Sequence, residues 1–217
     1  MNKKTLIPSI VLAAAAAVPA VSQAELSANI GWVSDYVFRG IFQEDSSASA
    51  GLDYSNNGFY VGTWGADVGT GLETDLYFGY GGESGDFSYS VGYTGYYYTD
   101  NWDDTYKEVN LGIAYGIFAL DYAAGQYDTS PETQDYSFTS ITLTSPKGAY
   151  IKFGTFGQDF DGSYTELGYS WSFEEQGIDL SFALINSSDL PLGDPNDLEG
   201  GDSKVVFGIT KSISIGE

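Results

Sequence analysis

Hydrophobic and polar positions alternate along most of the chain with a period of two residues. Between residues 72 and 80, Leu72, Leu76 and Phe78 fall on one face, and Glu73 and Asp75 fall on the other. Such alternation is typical of a β-strand with one apolar face. The pattern predicts twelve strands without intervening helices. They span residues 26–38, 48–54, 59–66, 72–80, 87–97, 108–115, 118–127, 136–144, 149–157, 164–174, 178–185 and 204–215.

The connections between these strands are alternately short and long. The short ones contain Gly or Asn, which accept the positive φ angles of tight turns. Short connections lie at residues 56–58, 83–86, 116, 146–148 and 175–177, and long ones at 39–47, 67–71, 99–105, 128–133, 158–163 and 187–203. The alternation predicts an up-and-down antiparallel β-barrel, with short turns at one rim, long loops at the other, and both termini on the short-turn side.

The orientation of the apolar face distinguishes a soluble barrel from a membrane barrel. A soluble lipocalin-like barrel usually has eight strands and an apolar interior. Twelve strands leave an interior too wide for such packing, so we predict a transmembrane β-barrel with short periplasmic turns and longer extracellular loops. The alternative is a soluble sheet with ordinary strand-forming aromatics. The aromatics expected to form an interfacial girdle are Tyr96, Tyr97, Tyr98, Trp102, Tyr164 and Phe173.

Composition narrows the function classes. The 217 residues include no Cys and no His, and 30 acidic residues against 8 basic ones give a net charge of −22. Disulfides, thiolate or imidazole metal sites, Cys nucleophiles and His-based triads are thereby excluded. The negative charge opposes nucleic-acid binding. We therefore expect no enzyme and no cofactor, although Glu73 and Asp75 on one strand face leave an acid-pair mechanism as a weaker alternative.

The amino terminus has the pattern of a signal peptide. Lys3 and Lys4 precede an apolar stretch at residues 6–21, and small residues follow at Ser22 and Ala24. This pattern predicts cleavage after Ala24, which leaves residues 25–217 as a single barrel domain. A retained helical anchor is the alternative, but prolines near both ends shorten the apolar run relative to a bilayer of about 30 Å.

Several segments of the mature chain resemble a known family of outer-membrane proteins. Residues 27–40, SANIGWVSDYVFRG, resemble the opening motif of the TorF family of proteobacterial porins. Residues 58–65 and 74–80 are similar to the next two blocks of that family, and residues 205–212 to its last strand. The resemblance implies an outer-membrane porin. Such chains typically finish on an aromatic residue that assists assembly, and we expect Ile213 to take that place here.

Strand parity assigns a set of charged side chains to the barrel interior. The expected pore-lining residues are Asp53, Glu73, Asp75, Glu108, Asp121, Lys152, Glu166 and Asp179, with Lys107 as a further candidate base. Because acids outnumber bases, the lumen should favour cations. The leading hypothesis is passive diffusion of small cationic or neutral hydrophilic solutes. The alternative is a non-conducting barrel, plugged by pairing of the acids with bases and Tyr hydroxyls, that acts as a surface binding or structural protein.

Arg39, the one arginine of the chain, follows the first predicted strand. Two interpretations stay open for it: a constriction residue that shapes passage, or a structural pair with inward acids. The second is favoured because a guanidinium matches a carboxylate well. An irregular pattern over residues 33–38 also indicates a bulge at this point.

The last long connection is acidic. It carries Asp189, Asp194, Asp197, Glu199 and Asp202, whose oxygens form a weak candidate site for Ca²⁺ or Mg²⁺. The spacing matches no EF-hand, and a solvated acidic loop is the alternative. The expected location is the outer membrane of a Gram-negative bacterium, and the expected partners are outer-membrane lipid, lipopolysaccharide, the barrel-assembly machinery and small hydrophilic solutes.

Overall fold

The computed structural model describes residues 24–190 and 202–216, which form one closed antiparallel β-barrel. Its strands are β1 (Glu25–Phe38), β2 (Ile41–Asn56), β3 (Phe59–Asp67), β4 (Leu72–Ser84), β5 (Phe87–Tyr98), β6 (Thr105–Tyr115), β7 (Phe118–Asp128), β8 (Gln134–Thr144), β9 (Ala149–Gln158), β10 (Ser163–Phe173), β11 (Ile178–Ser188) and β12 (Ser203–Gly216). Each strand pairs with its neighbour in sequence, and β1 pairs with β12 to close the barrel. The predicted fold class is confirmed.

Helical structure is minimal in the described part of the chain. A single 3₁₀ turn, Glu174–Gln176, connects β10 to β11 and ends at Gly177, whose φ angle is +59°. Within residues 24–190 and 202–216, no helix has both the length and the apolar character needed to cross a membrane. The predicted signal peptide lies almost entirely outside the described residues, so its cleavage stays a prediction.

The outer face of the barrel is an apolar surface. Leu76 and Phe78 on β4 are each 52% exposed, because their side chains point away from the interior. Aromatic side chains concentrate on this face near the short-turn rim, where they include Phe59, Tyr80, Phe87, Tyr89, Tyr115, Phe118, Trp171 and Phe173. An exposed apolar band bordered by aromatic residues is the surface that a lipid bilayer requires of a spanning barrel.

Part of the predicted girdle was assigned to the wrong face. Tyr96 and Tyr164 are almost fully buried in the interior, and only Tyr97 and Phe173 of the predicted set are exposed on the wall. Consecutive residues of a strand point to opposite faces, so a run such as residues 96–98 cannot lie entirely at the lipid interface. The inward-pointing tyrosines are therefore part of the lumen.

Inward tyrosines lie across glycines of the neighbouring strands. A Cβ atom placed on Gly168 would come within 2.2 Å of the Tyr150 ring, and one on Gly79 or Gly92 would meet the Tyr60 hydroxyl at 2.3 Å. Large rings thus occupy the space that absent side chains leave on the same inner face. This interlocking explains why a barrel rich in tyrosine is also rich in glycine.

The connection between β1 and β2 differs from the prediction. Residues 39–47 were predicted to be a long loop, but β2 already begins at Ile41, and Arg39 and Gly40 alone form the turn, with φ angles of +50° and +81°. Residues 34–46 pair in the sheet only with each other, since the β1–β12 ladder ends at Val33 and the β2–β3 ladder begins at Ser49. The first part of β2 was not predicted because its residues are mostly polar. This part pairs with β1 but lies apart from the other strands of the barrel wall. The predicted bulge is present as a register shift between Tyr36 and Val37.

Candidate functional site: the barrel lumen

The tip of the β1–β2 hairpin, residues 37–42, crosses the interior of the barrel at the long-loop end. The Ser187 hydroxyl on β11 donates a hydrogen bond to the Gly40 carbonyl oxygen at 2.8 Å. A Cβ atom on Gly40 would lie 2.7 Å from Cβ of Tyr164 on β10. Because β10 and β11 are not sheet neighbours of β2, these contacts span the lumen. The tip therefore occludes this end of the barrel.

Arg39 anchors the tip to the opposite wall. Its guanidinium forms a bidentate pair with the carboxylate of Glu108 on β6, with both nitrogen–oxygen distances at 2.8 Å. The same carboxylate accepts hydrogen bonds from the hydroxyls of Tyr96 and Tyr136, each at 2.8 Å, and from the Asn110 amide. Glu108 is only 1% exposed, yet all its oxygen lone pairs have donors. This geometry corresponds to the structural-pair interpretation of Arg39.

Apolar and aromatic side chains surround this pair. The Arg39 guanidinium carbon lies 4.5 Å from the centre of the Phe138 ring on β8. Val37 and Phe42 of the tip join an interior cluster with Ala123, Phe138, Tyr164, Ala183, Ile185, Leu190 and Val206. Such a cluster desolvates the ion pair, so the loss of either partner would leave a buried charge without compensation.

A second ion pair holds the base of the hairpin. Lys204 on β12 lies 2.9 Å from a carboxylate oxygen of Asp35 and 3.6 Å from one of Asp45. Its ammonium also lies 3.4 Å from the centre of the Phe42 ring. The hairpin is thus tied to the wall beside it as well as to the wall across the lumen.

Glu73 and Asp75 lie side by side on the inner face of β4. Each is 2% exposed. Glu73 accepts a hydrogen bond of 2.7 Å from the Tyr36 hydroxyl of β1. Asp75 differs, because its Oδ1 atom is buried and has no hydrogen-bond partner among residues 24–190 and 202–216.

The remaining predicted acids face the interior in more polar surroundings. Asp53 on β2 accepts hydrogen bonds from the Tyr77 hydroxyl and from the Asn29 amide. Asp121 on β7 accepts one from the Ser140 hydroxyl at 3.3 Å. Both aspartates are half-buried, which leaves their carboxylates in contact with solvent in the lumen.

The last group of predicted lumen residues lies on β9, β10 and β11. Glu166 is buried and accepts a hydrogen bond from the Tyr150 hydroxyl. Lys152 is directly opposite Glu166 in the β9–β10 register, but it forms no ion pair within the part of the chain that the structure describes. Asp179 is half-buried near the short-turn rim. The structure thus places every member of the predicted set on the inner face, and it brings Arg39 onto Glu108.

Lys107 belongs to the outer face instead. It precedes the inward Glu108 on β6 and forms an ion pair with Asp128 of β7. Strand alternation requires neighbours to point to opposite sides, so the assignment of Lys107 to the lumen was wrong.

Sequence reasoning missed two features of this site. The first is the identity of the tyrosines that bind the acids. Pairing with Tyr hydroxyls was expected only in general, and the alternation of residues 96–98 and 134–144 could have identified Tyr96 and Tyr136 as donors. The second is the hairpin tip, for which Gly40 was the signal, because glycine accepts the positive φ angle of a tight turn. Arg39 adopts a φ angle of +50° although arginine rarely does so.

The acidic connection between β11 and β12 gives no support to a metal site within the described residues. Asp189 and Asp202 are described, whereas Asp194, Asp197 and Glu199 lie outside the described residues. Residues 24–190 and 202–216 contain no group of three or more acidic side chains arranged to hold a metal ion. The divalent-ion hypothesis for this loop stays a prediction.

The chain belongs to a bacterial protein family. The model of that family, described as a bacterial protein of unknown function (Gcw_chp), matches residues 16–189. This description does not mention the TorF name, so the resemblance to TorF porins stays a prediction. No curated protein is similar enough in sequence to count as a match.

Solved structures with the same kind of barrel are distant in sequence. The COG4313 outer membrane channel from Pseudomonas putida F1 superposes with a TM-score of 0.53 at 9% identity, over 90% of this chain and 97% of that chain. A chain solved in work on the in-meso crystallization of membrane proteins gives a TM-score of 0.58 at 8% identity, over 89% of this chain and 85% of that one. A BenF-like porin from Pseudomonas fluorescens Pf-5 gives 0.42 at 10% identity, over 85% and 59%. The first two establish a porin-like barrel fold.

Proposed function

We propose that this protein is an outer-membrane channel for the passive diffusion of small hydrophilic solutes, with a preference for cations over anions. The observation that carries the proposal is the polarity of the wall: its outer face is exposed and apolar, and its inner face bears more acids than bases. Signal-peptide cleavage after Ala24 would deliver the chain to the periplasm, from which it would insert into the outer membrane.

Cation preference would arise in the short-turn half of the lumen. Asp53, Asp121 and Asp179 are half-buried there, and Lys152 is the inward base nearest to them. A low-dielectric wall concentrates the field of such carboxylates into the water path, which raises the local cation concentration and repels anions.

Passage through the long-loop end requires the hairpin tip to move. In the structure the tip is held by the pair between Arg39 and Glu108 and by the hydrogen bond between Ser187 and Gly40. We therefore expect the channel to open rarely and to open more often when this attachment is weakened.

Single-channel recording in planar bilayers tests the proposal. The informative variant is Arg39→Gln/Glu108→Gln, which removes both charges together and leaves no unpaired buried charge behind. We expect brief cation-selective openings in the wild type and more frequent ones in this variant. A matched control, Lys107→Gln/Asp128→Asn, removes an ion pair from the outer face and should leave opening unchanged.

Selectivity is tested separately from opening. In a KCl gradient, Asp53→Asn, Asp121→Asn and Asp179→Asn should each move the reversal potential toward the non-selective value. If both the wild type and the double variant remain silent in bilayers while correctly folded, the channel proposal is refuted.

The alternative function is a non-conducting barrel that acts as a surface binding or structural protein. It is favoured by one observation, the buried cluster that the hairpin tip forms with the opposite wall. Silence of both proteins in the bilayer experiment is the outcome that this alternative requires.

A further inference from the structure

Asp75 differs in its hydrogen bonding from Glu73, Glu108 and Glu166, the other inward acids that are fully buried in the described part of the chain. Glu108, Glu73, Glu166, Asp53 and Asp121 each accept at least one side-chain hydrogen bond. Asp75 is 2% exposed, and its Oδ1 atom has no partner among the described residues. Asp75 lies between the exposed Thr74 and Leu76 positions of β4, so its side chain points into the lumen.

An isolated buried carboxylate is costly, because water no longer solvates its charge. The structure offers Asp75 no protein cation. Arg39, an inward base at the long-loop end, has both terminal nitrogens bound to Glu108. Within the described residues, the four ion pairs that form do not include Asp75.

The surroundings of Asp75 add further negative charge. Glu73 is two residues away on the same face of the strand. Tyr96 is directly opposite Asp75 in the β4–β5 register, and its hydroxyl binds Glu108. Three carboxyl groups thus face one guanidinium in this part of the lumen. Because Arg39 is paired with Glu108, neither Glu73 nor Asp75 has a protein cation beside it when it ionises.

We propose that Asp75 binds one small monovalent inorganic cation, with water molecules and the adjacent Glu73 as additional oxygen ligands. A divalent ion fits less well, because Ca²⁺ takes six to eight oxygen ligands, and residues 24–190 and 202–216 hold no group of three acids arranged for a metal. The cation supplies the positive charge that the site lacks. This inference deepens the proposed cation preference and rests on it for its role in passage, but the binding itself can be measured without conductance.

Thermal unfolding in detergent micelles tests the site with sodium as the probe. The melting temperature is measured in NaCl and in N-methylglucamine chloride at equal ionic strength, since the larger cation cannot enter a buried site. We expect sodium to raise the melting temperature of the wild type by about 2–4 °C, saturably with concentration. Asp75→Asn, which keeps the shape and removes the charge, should abolish this rise.

Asp53→Asn is the matched control. Asp53 is an inward aspartate with two hydrogen-bond donors, so its loss should preserve the sodium-dependent rise. Equal melting temperatures of the wild type in the two salts, or a rise that persists in Asp75→Asn, would overturn the proposal. If Asp75→Asn fails to fold, the wild type alone decides through ²³Na line broadening that potassium reverses, and its absence counts equally against the site.

The outcomes separate this inference from the proposed function. A sodium-dependent rise combined with silence in bilayers would support the cation site and refute the channel. Cation-selective openings without a sodium-dependent rise would support the channel and refute the site at Asp75.

Discussion

The two ends of the barrel interior are built on different principles. At the long-loop end, the hairpin tip, aromatic rings and aliphatic side chains pack around the Arg39–Glu108 pair. At the short-turn end, inward charged residues such as Asp53, Asp121 and Lys152 are only half-buried. One end resembles the core of a soluble protein, and the other resembles the wall of an aqueous pore.

The difference follows from which side chains point inward at each level. Near the tip, the wall contributes Ala183, Ile185 and Val206, which are apolar although they face the lumen. Away from the tip, inward positions carry mainly Ser, Thr, Asn, Asp, Gly and Tyr. Apolar inward residues thus occur where a tip is present to cover them, which indicates that the closed end is encoded jointly by the hairpin and the wall opposite.

The largest effect on stability is expected when one partner of the buried Arg39–Glu108 pair is removed. Arg39→Ala should lower the free energy of unfolding by about 3–5 kcal/mol, because Glu108 keeps its charge in a desolvated site. Urea unfolding in micelles, followed by tryptophan fluorescence, measures the effect. Arg39→Leu/Glu108→Met should recover most of the loss, since no charge remains buried. A loss below about 1 kcal/mol in the single variant would show that the long-loop end is as solvated as the other.

Packing at the two ends can be compared by adding one methyl group at each end through a Gly→Ala substitution. Gly154→Ala should destabilise the barrel by about 1–3 kcal/mol, because the new Cβ would lie 2.4 Å from the Tyr164 ring and 2.8 Å from the Phe138 ring. Both rings are held by the apolar cluster and cannot withdraw.

Gly112→Ala is the counterpart at the short-turn end. Its new Cβ would meet the Ser90 hydroxyl at 2.7 Å and an Asp121 oxygen at 3.4 Å, and both are mobile ends of side chains. We expect it to unfold at nearly the wild-type urea concentration. Equal losses in the two variants would contradict the packed and open descriptions of the two ends.

The smallest expected effect concerns one hydroxyl. Tyr77→Phe removes a hydrogen bond to the half-buried Asp53 and should cost about 0.5–1 kcal/mol, since water can replace the lost donor. Tyr136→Phe, which removes a donor from the fully buried Glu108, should cost more in the same urea titration. If the order of the two is reversed, water has better access to Glu108 than to Asp53.

Much of this architecture could be predicted from the sequence, because the alternation that identifies a strand involves only consecutive residues. The period of two located all twelve strands, and Gly and Asn marked the short turns. Parity placed Glu73, Asp75 and Glu108 on the inner face. The wrong assignments, Tyr96 to the lipid interface and Lys107 to the lumen, are those that did not follow the alternation of their strands.

The sequence by itself predicted twelve strands with an apolar outer face and an acidic inner one, because alternation depends on residues one or two positions apart. The tertiary structure alone decided that the hairpin tip lies across the lumen. Arg39 and Glu108 are separated by 69 residues. A pattern of neighbouring residues therefore cannot predict which of several inward acids pairs with the guanidinium. The same long-range choice pairs Arg39 with Glu108 and leaves Asp75 without a protein partner.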